Sequence, residues 1–195
     1  MLSHTQALDF LTQKVSNKNI IKHMLATEAL MGGVYDALLV KGIKDLGGTK
    51  EEWQIAGLLH DGDYIESVPM ERQGIEITNW LRKEGFEVPE NVAYAMSSHN
   101  WEATKTAPKS LMDWTIYCGD SLTGLIVACA LVMPTKKLAD VSVESVLKKF
   151  KNKSFASGTR RQSIALCQDK IGFSLIEFIQ ISLSSMQEIH EDLGL

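Results

Sequence analysis

Residues 110–133 read SLMDWTIYCGDSLTGLIVACALVM, and this stretch decides the fold class. It is apolar over most of its length, it opens on Ser110, and Pro134 follows it directly. The pattern predicts one long, buried helix that ends at the proline. The longest uncharged apolar run, residues 125–133, is far shorter than the ~17 to 25 residues that span a bilayer, so we expect no membrane segment.

Helix start and stop signals continue on both sides of this stretch. Thr49 followed by Glu52 has the spacing of a capping box, and Asn17 can cap a long helix that stops at Gly42. No run of alternating strand residues extends beyond a few positions. We therefore predict an all-α, single-domain helical bundle over 1–195. Its motif-bearing core is expected at about 20–133, and further helices are expected at 71–83, 141–150, about 160–170 and 173–191.

Composition excludes several classes of protein. The chain of 195 residues is 45% hydrophobic and 23% charged, which is ordinary for a globular domain, and its net charge of −4 gives no reason to expect nucleic acid or an acidic membrane as a partner. The first residues lack a basic segment followed by an apolar core, so we expect no secretory signal. The three cysteines lack CxxC spacing, which favours a reducing, cytoplasmic compartment.

Ligand-type side chains interrupt the apolar pattern at four places. They are His23, the doublet His60 and Asp61, His99, and Asp120. Imidazole and carboxylate groups from separate helices suit a divalent transition metal, and a set of four leaves positions for water and substrate. Taken singly, each has a plainer interpretation, since a lone histidine is often a satisfied core residue and an aspartate after a glycine can cap a helix.

The segments that carry these residues have a recognisable order. They are KHMLATEALM, WQIAGLLHDGDY, SSHN and GDSLTGLI, between residues 22 and 131. The order resembles the HD-domain phosphohydrolase superfamily, whose signature is a His, a His-Asp doublet and a distal Asp, and residues 146–150 resemble a predicted-hydrolase branch of it. The resemblance implies an all-α fold and one metal ion held by His23, His60, Asp61 and Asp120.

The chain departs from the superfamily pattern at two points. Many relatives continue the doublet as HDIGK, whereas Gly62 and Asp63 follow it here. Relatives with two metals carry a histidine in an ExHG-like segment, where this chain has Gln73. Glutamine is a weak ligand, so we expect one tightly held divalent ion, either Mn, Fe, Co, Ni or Zn. His99 can then bind a second ion loosely, act as an acid, or simply cap its helix.

The expected activity is hydrolysis of a phosphate ester, of a nucleotide or another small molecule, by metal-activated water. Asp61 is expected to orient the water or take its proton, and His99 to protonate the leaving group. Asp63 either shapes the pocket electrostatically or is a solvated turn residue. Two alternatives are a non-catalytic, metal-dependent nucleotide sensor and a metal-dependent oxygenase.

A basic segment lies outside the motif. Residues 136–161 contain eight basic and two acidic side chains, and we expect Lys148, Lys151 and Arg160 to bind substrate phosphate. A solvated basic face is the alternative interpretation. The four tryptophans can stack on a base, although helical tryptophans more often belong to a core.

Overall fold

Helices make up all the regular secondary structure in the computed structural model, which describes residues 2–195. The prediction of an all-α fold is confirmed. The helices are α1 (His4–Lys14), α2 (Lys18–Val40), α3 (Lys50–Leu59), α4 (Glu76–Lys83), α5 (Glu90–Ser98), α6 (Trp101–Thr104), α7 (Leu111–Leu131), α8 (Val143–Lys151), α9 (Arg161–Ala165), α10 (Cys167–Ile171), α11 (Leu175–Glu188) and α12 (His190–Leu193), with single 3-10 turns at Met70–Arg72 and Leu138–Asp140.

Side-chain caps define several helix starts, and those at Asn17 and Thr49 were predicted. Thr49 and Glu52 form a reciprocal capping box at the start of α3, and Ser110 forms another with Asp113 at the start of α7. Asn17 accepts a hydrogen bond from the second residue of α2. Each cap satisfies N–H groups that have no partner within their own helix. These local bonds explain why the ends could be predicted without knowledge of the packing.

The core forms around α2, which packs against α3, α7 and α11. The buried apolar side chains form one cluster that extends from Leu2 to Leu193. Helices α2 and α3 approach each other closely at Gly57, where a Cβ atom would lie 2.9 Å from the backbone of Glu28. Only glycine allows this contact, which brings the carboxyl end of α3 close to the amino-terminal half of α2.

Helix α7 is long and apolar enough to cross a membrane by length and mean hydropathy, which is 1.4 over its best window. Within that window 61% of the helix is buried inside the protein. A helix that is apolar on all sides is either a membrane span or the central helix of a core. Helix α7 contacts α2, α5, α8, α9 and α10, as a central helix does.

Three predicted boundaries were wrong in detail. The helix expected at 71–83 is a 3-10 turn followed by α4, because Gly74 between them adopts a φ of 78° that ends any right-handed helix. The segment at 160–170 divides into α9 and α10, and the last helix ends at Glu188 before the short α12. Asp120 does not cap a helix, since it lies in the middle of α7.

Candidate metal centre

The five predicted site residues come from four helices and meet at one place. His23 lies on α2, His60 is the C-cap of α3 with Asp61 directly after it, His99 is the C-cap of α5, and Asp120 is on α7. His60 is completely buried, whereas the side chain of His23 is 25% exposed. The site is therefore embedded in the core and accessible to solvent from the His23 side.

Four side-chain atoms face a common point. His23 Nε2 lies 2.9 Å from Asp120 Oδ1, 3.3 Å from His60 Nε2 and 3.6 Å from Asp61 Oδ2. His60 Nε2 lies 3.6 Å from Asp61 Oδ2 and 3.8 Å from Asp120 Oδ1. Ligands about 2.1 Å from one ion are about 3.0 Å apart in octahedral and about 3.4 Å apart in tetrahedral geometry. The observed separations fall close to these values.

Hydrogen bonds outside the cluster fix the histidine rings. The Nδ1 atom of His60 donates to the Gly57 carbonyl oxygen at 2.8 Å, and that of His99 donates to the Met96 carbonyl oxygen at 2.6 Å. A carbonyl oxygen can only accept, so Nδ1 carries the proton in both rings. The unprotonated Nε2 lone pair of a neutral ring must then point into the cluster. Such outer hydrogen bonds are typical of metal-binding histidines.

His23 is held in the same way by a hydroxyl group. Its Nδ1 lies 3.2 Å from Thr123 Oγ1, and that hydroxyl donates its own proton to the Asp120 carbonyl oxygen at 2.7 Å. Thr123 therefore accepts from Nδ1, and Nε2 of His23 also presents a lone pair. Thr123 was not predicted as a site residue, although its position one turn after Asp120 on the same helix places the two side chains on one face.

The cluster thus contains hydrogen-bond acceptors that face one another and lack donors between them. Only a cation or added protons can make this arrangement favourable. In the absence of a metal, protons fill this role. Burial alone would lower the pKa of His23, but hydrogen bonding and attraction to Asp120 outweigh it and raise that pKa. Metal ions and protons therefore compete for the same lone pairs.

The pKa values of the two carboxylates shift in the opposite direction from the pKa of His23. Burial would raise the pKa of Asp61 and of Asp120, but the surrounding imidazoles outweigh burial and lower both pKa values. Both groups are therefore ionised at neutral pH, as metal ligands must be. His99 Nε2 lies 3.2 Å from Asp61 Oδ1, the oxygen that does not face His23. Asp61 can thus contact an ion through one oxygen and His99 through the other.

Asp63 is not a solvated turn residue. It is fully buried, and its two oxygens accept the backbone N–H groups of Gly74 at 2.8 Å and Ile77 at 2.9 Å. It therefore caps the start of α4 and ties the intervening loop to the end of α3. Gly74 in turn packs on the site, since a Cβ there would lie 2.3 Å from the Met96 oxygen and 3.0 Å from His99 Nδ1.

Arg160 is the one predicted phosphate-binding residue that contacts the site. Its Nη2 donates to Asp120 Oδ2 at 2.5 Å and to the His99 carbonyl oxygen at 3.2 Å. This bond leaves Asp120 Oδ1 to face the histidines. Arg160 also lies 3.5 Å from Glu102, so much of its charge is already paired.

Arg160 forms part of a polar cleft of about 510 Å³. The exposed side chains of Lys148 and Lys151 on α8 are not among the described residues that line it, and Lys153 provides a cation there instead. Arg161, at the back of this cleft, donates to the backbone oxygens of Phe150, Asn152, Phe155 and others. The guanidinium group of Arg161 thus holds the irregular segment between α8 and α9 through several hydrogen bonds to its backbone oxygens.

The remaining predicted residues have other surroundings. Trp53 is a core residue whose Nε1 donates to the Leu46 oxygen, while Trp101 and Trp114 form an aromatic group with Tyr117. Gln73 is buried in the loop before Gly74.

The donor set fits a divalent transition ion. His23, His60 and Asp61 offer ligand atoms that all lie within 4.8 Å of one another, a set that could hold a metal ion, and Asp120 Oδ1 lies 2.9 Å from His23 Nε2 beside it. Imidazole with carboxylate is a donor combination found for zinc, iron, manganese and related ions. No protein-family model, curated protein or solved structure matches this chain.

Proposed function

We propose that this protein is a metal-dependent phosphohydrolase of the HD type that cleaves the phosphate ester of a nucleotide or another small molecule. The observation that carries the proposal is the convergence of imidazole lone pairs and two carboxylates whose outer bonds are already fixed. An arrangement of this kind is organised for a cation before the cation arrives. The order of the ligands along the chain, with its resemblance to the HD superfamily, supports the choice of reaction.

The proposed ligands are His23, His60, Asp61 and Asp120, which would hold one ion of Mn, Fe, Co, Ni or Zn. Such an ion supplies Lewis-acid chemistry, since it polarises a phosphoryl oxygen and lowers the pKa of water. Asp120 is suited to bind through one oxygen because Arg160 occupies the other. Four protein ligands leave room for water and a substrate oxygen in an octahedral arrangement.

Asp61 and His99 are the proposed proton-transfer groups. Asp61 contacts the ligand cluster through Oδ2 and His99 through Oδ1, so it can orient a water molecule and accept its proton. His99 Nδ1 is committed to Met96, which leaves Nε2 as the atom that can carry a proton to the leaving oxygen. Burial would lower the pKa of His99, but its bond to Asp61 outweighs this and raises that pKa, which favours the acid form near neutral pH.

Metal analysis followed by a substrate panel tests the proposal. Purified protein reconstituted with each ion should bind one per chain and hydrolyse at least one nucleotide or phosphate ester. Asp61→Ala should lose both metal and activity while keeping its helical circular dichroism, because Asp61 follows the end of α3 and supports no helix. Asp9→Ala, on the exposed face of α1, is the matched control and should change neither metal binding nor activity.

The outcomes separate the competing functions. Absence of bound metal after reconstitution with all five ions would reject the site. Metal binding with nucleotide binding but no turnover would identify the non-catalytic sensor. Two tightly bound ions per chain would contradict the single-metal assignment, and would point to His99 as a ligand.

A further inference from the structure

A second cleft, of about 410 Å³, also reaches the candidate metal centre, because His23 forms part of its wall. It lies between the first turns of α2, the second half of α7 and the segment around α12. Its walls are mostly aliphatic, with Val127, Leu131 and Leu193 among them, and Lys22 lies at its edge. We call it the apolar cleft, in contrast to the polar cleft beside Arg160.

Gly124 lines the apolar cleft and has no packing reason to be glycine. It lies in the interior of α7, is exposed, and a Cβ atom added there would meet nothing within 4 Å. Gly119 on the same helix differs, since a Cβ there would lie 2.6 Å from Leu30. Glycine inside a helix is destabilising relative to alanine. The absence of a side chain at position 124 leaves free space in the cleft, one turn after Asp120 on α7.

We infer that the apolar cleft binds the alcohol part of the substrate, and that this part is an aliphatic or aryl group. The inference rests on the proposed function, which places the phosphoryl group at the metal centre. The volume is within the range of small-molecule sites, and aliphatic walls bind apolar groups by removing them from water. None of the described lining residues is a phenylalanine, tyrosine or tryptophan, and the one aromatic ring among them, that of His23, is a proposed metal ligand, so the cleft offers no large aromatic surface for a nucleobase.

Alkylphosphonates test the cleft independently of turnover, because their carbon–phosphorus bond is not an ester. Calorimetry on the Mn²⁺-loaded protein compares methylphosphonate with hexylphosphonate. If only two or three methylene groups of hexylphosphonate are buried, its Kd should be about tenfold or more lower than that of methylphosphonate. Gly124→Leu adds a side chain whose Cβ would meet nothing within 4 Å, and by occupying the cleft it should abolish this difference while leaving methylphosphonate binding unchanged. Gly124→Ala should retain most of the difference.

Ser157→Leu is the matched control, since it adds a leucine to the polar cleft. It should leave the preference for the longer chain intact. Equal affinity for the two phosphonates, a preference that survives Gly124→Leu, or no binding of either phosphonate would overturn the assignment of the cleft.

Hydrolysis assays with methyl and hexyl phosphate distinguish this inference from the function on which it rests. A chain-length preference in binding without any ester hydrolysis would reject the catalytic proposal and keep the cleft. Hydrolysis of both esters at equal kcat/KM, together with equal phosphonate affinities, would reject the cleft and keep the catalytic proposal.

Discussion

Replacement of Asp63 by alanine tests whether a buried carboxylate holds the segment between α3 and α4. The side chain is fully buried and accepts the N–H groups of Gly74 and Ile77. Alanine would leave both donors without a partner, and each such donor costs about 1–3 kcal/mol. We therefore expect the free energy of unfolding to fall by about 2–6 kcal/mol. Asp63→Asn retains one acceptor oxygen and should lose about half as much.

Urea denaturation in the presence of a chelator measures these differences without a contribution from bound metal. Asp9→Ala provides the reference for removal of an exposed carboxylate and should stay within about 0.5 kcal/mol of the wild type. A loss below about 0.5 kcal/mol for Asp63→Ala would refute the reasoning. Equal losses for the alanine and asparagine variants would show that the two hydrogen bonds do not act separately.

Three further substitutions address other parts of the molecule. Thr123→Val removes the acceptor for His23 Nδ1 and should weaken metal binding about 10- to 100-fold by titration calorimetry, whereas Thr115→Val, which removes a buried hydroxyl with no partner, should leave affinity unchanged. Burial raises the pKa of Glu28 above 4.5, so the stability that its protonated form contributes is lost as pH rises from 4.5 through the folded-state pKa. Over that pH range the Tm of Glu28→Gln, which cannot ionise, should rise relative to the wild type. Arg161→Lys cannot reach the same set of backbone oxygens and should lose roughly 2–4 kcal/mol, with faster proteolysis of the segment between α8 and α9.

The helices, and the His and Asp residues that meet in one cluster, could be predicted because their signals are local or ordered along the chain. Capping boxes at Thr49 and Ser110 act within four residues, and a proline or glycine beyond the helix ends it. The residues of the cluster could be found because His23, the His60 doublet and Asp120 each interrupt an apolar helix surface. Their arrival at one point depends on packing of α2, α3 and α7, which the sequence only implied.

The contacts of the irregular segments could not be predicted. Asp63 binds backbone groups more than ten residues away, and Arg161 binds carbonyl oxygens whose positions depend on the fold of the segment that it organises. A sequence shows a charged residue but not the backbone donor or acceptor that it binds, so both were interpreted as parts of the site or of its charged surroundings. Arg160 was expected to bind substrate phosphate, and its pairing with Asp120 was not foreseen.

The proposed ligands belong to α2, α3 and α7, three of the helices around which the core is built. An ion bound to all of them would act as a cross-link between segments far apart in the chain, in the way that a disulfide does, but reversibly. Because such an ion binds the folded chain and not the unfolded one, folding stability would grow with the logarithm of free metal concentration, by about 1.4 kcal/mol for each tenfold increase above Kd. The lifetime of this protein against cellular proteases would then follow the supply of its metal.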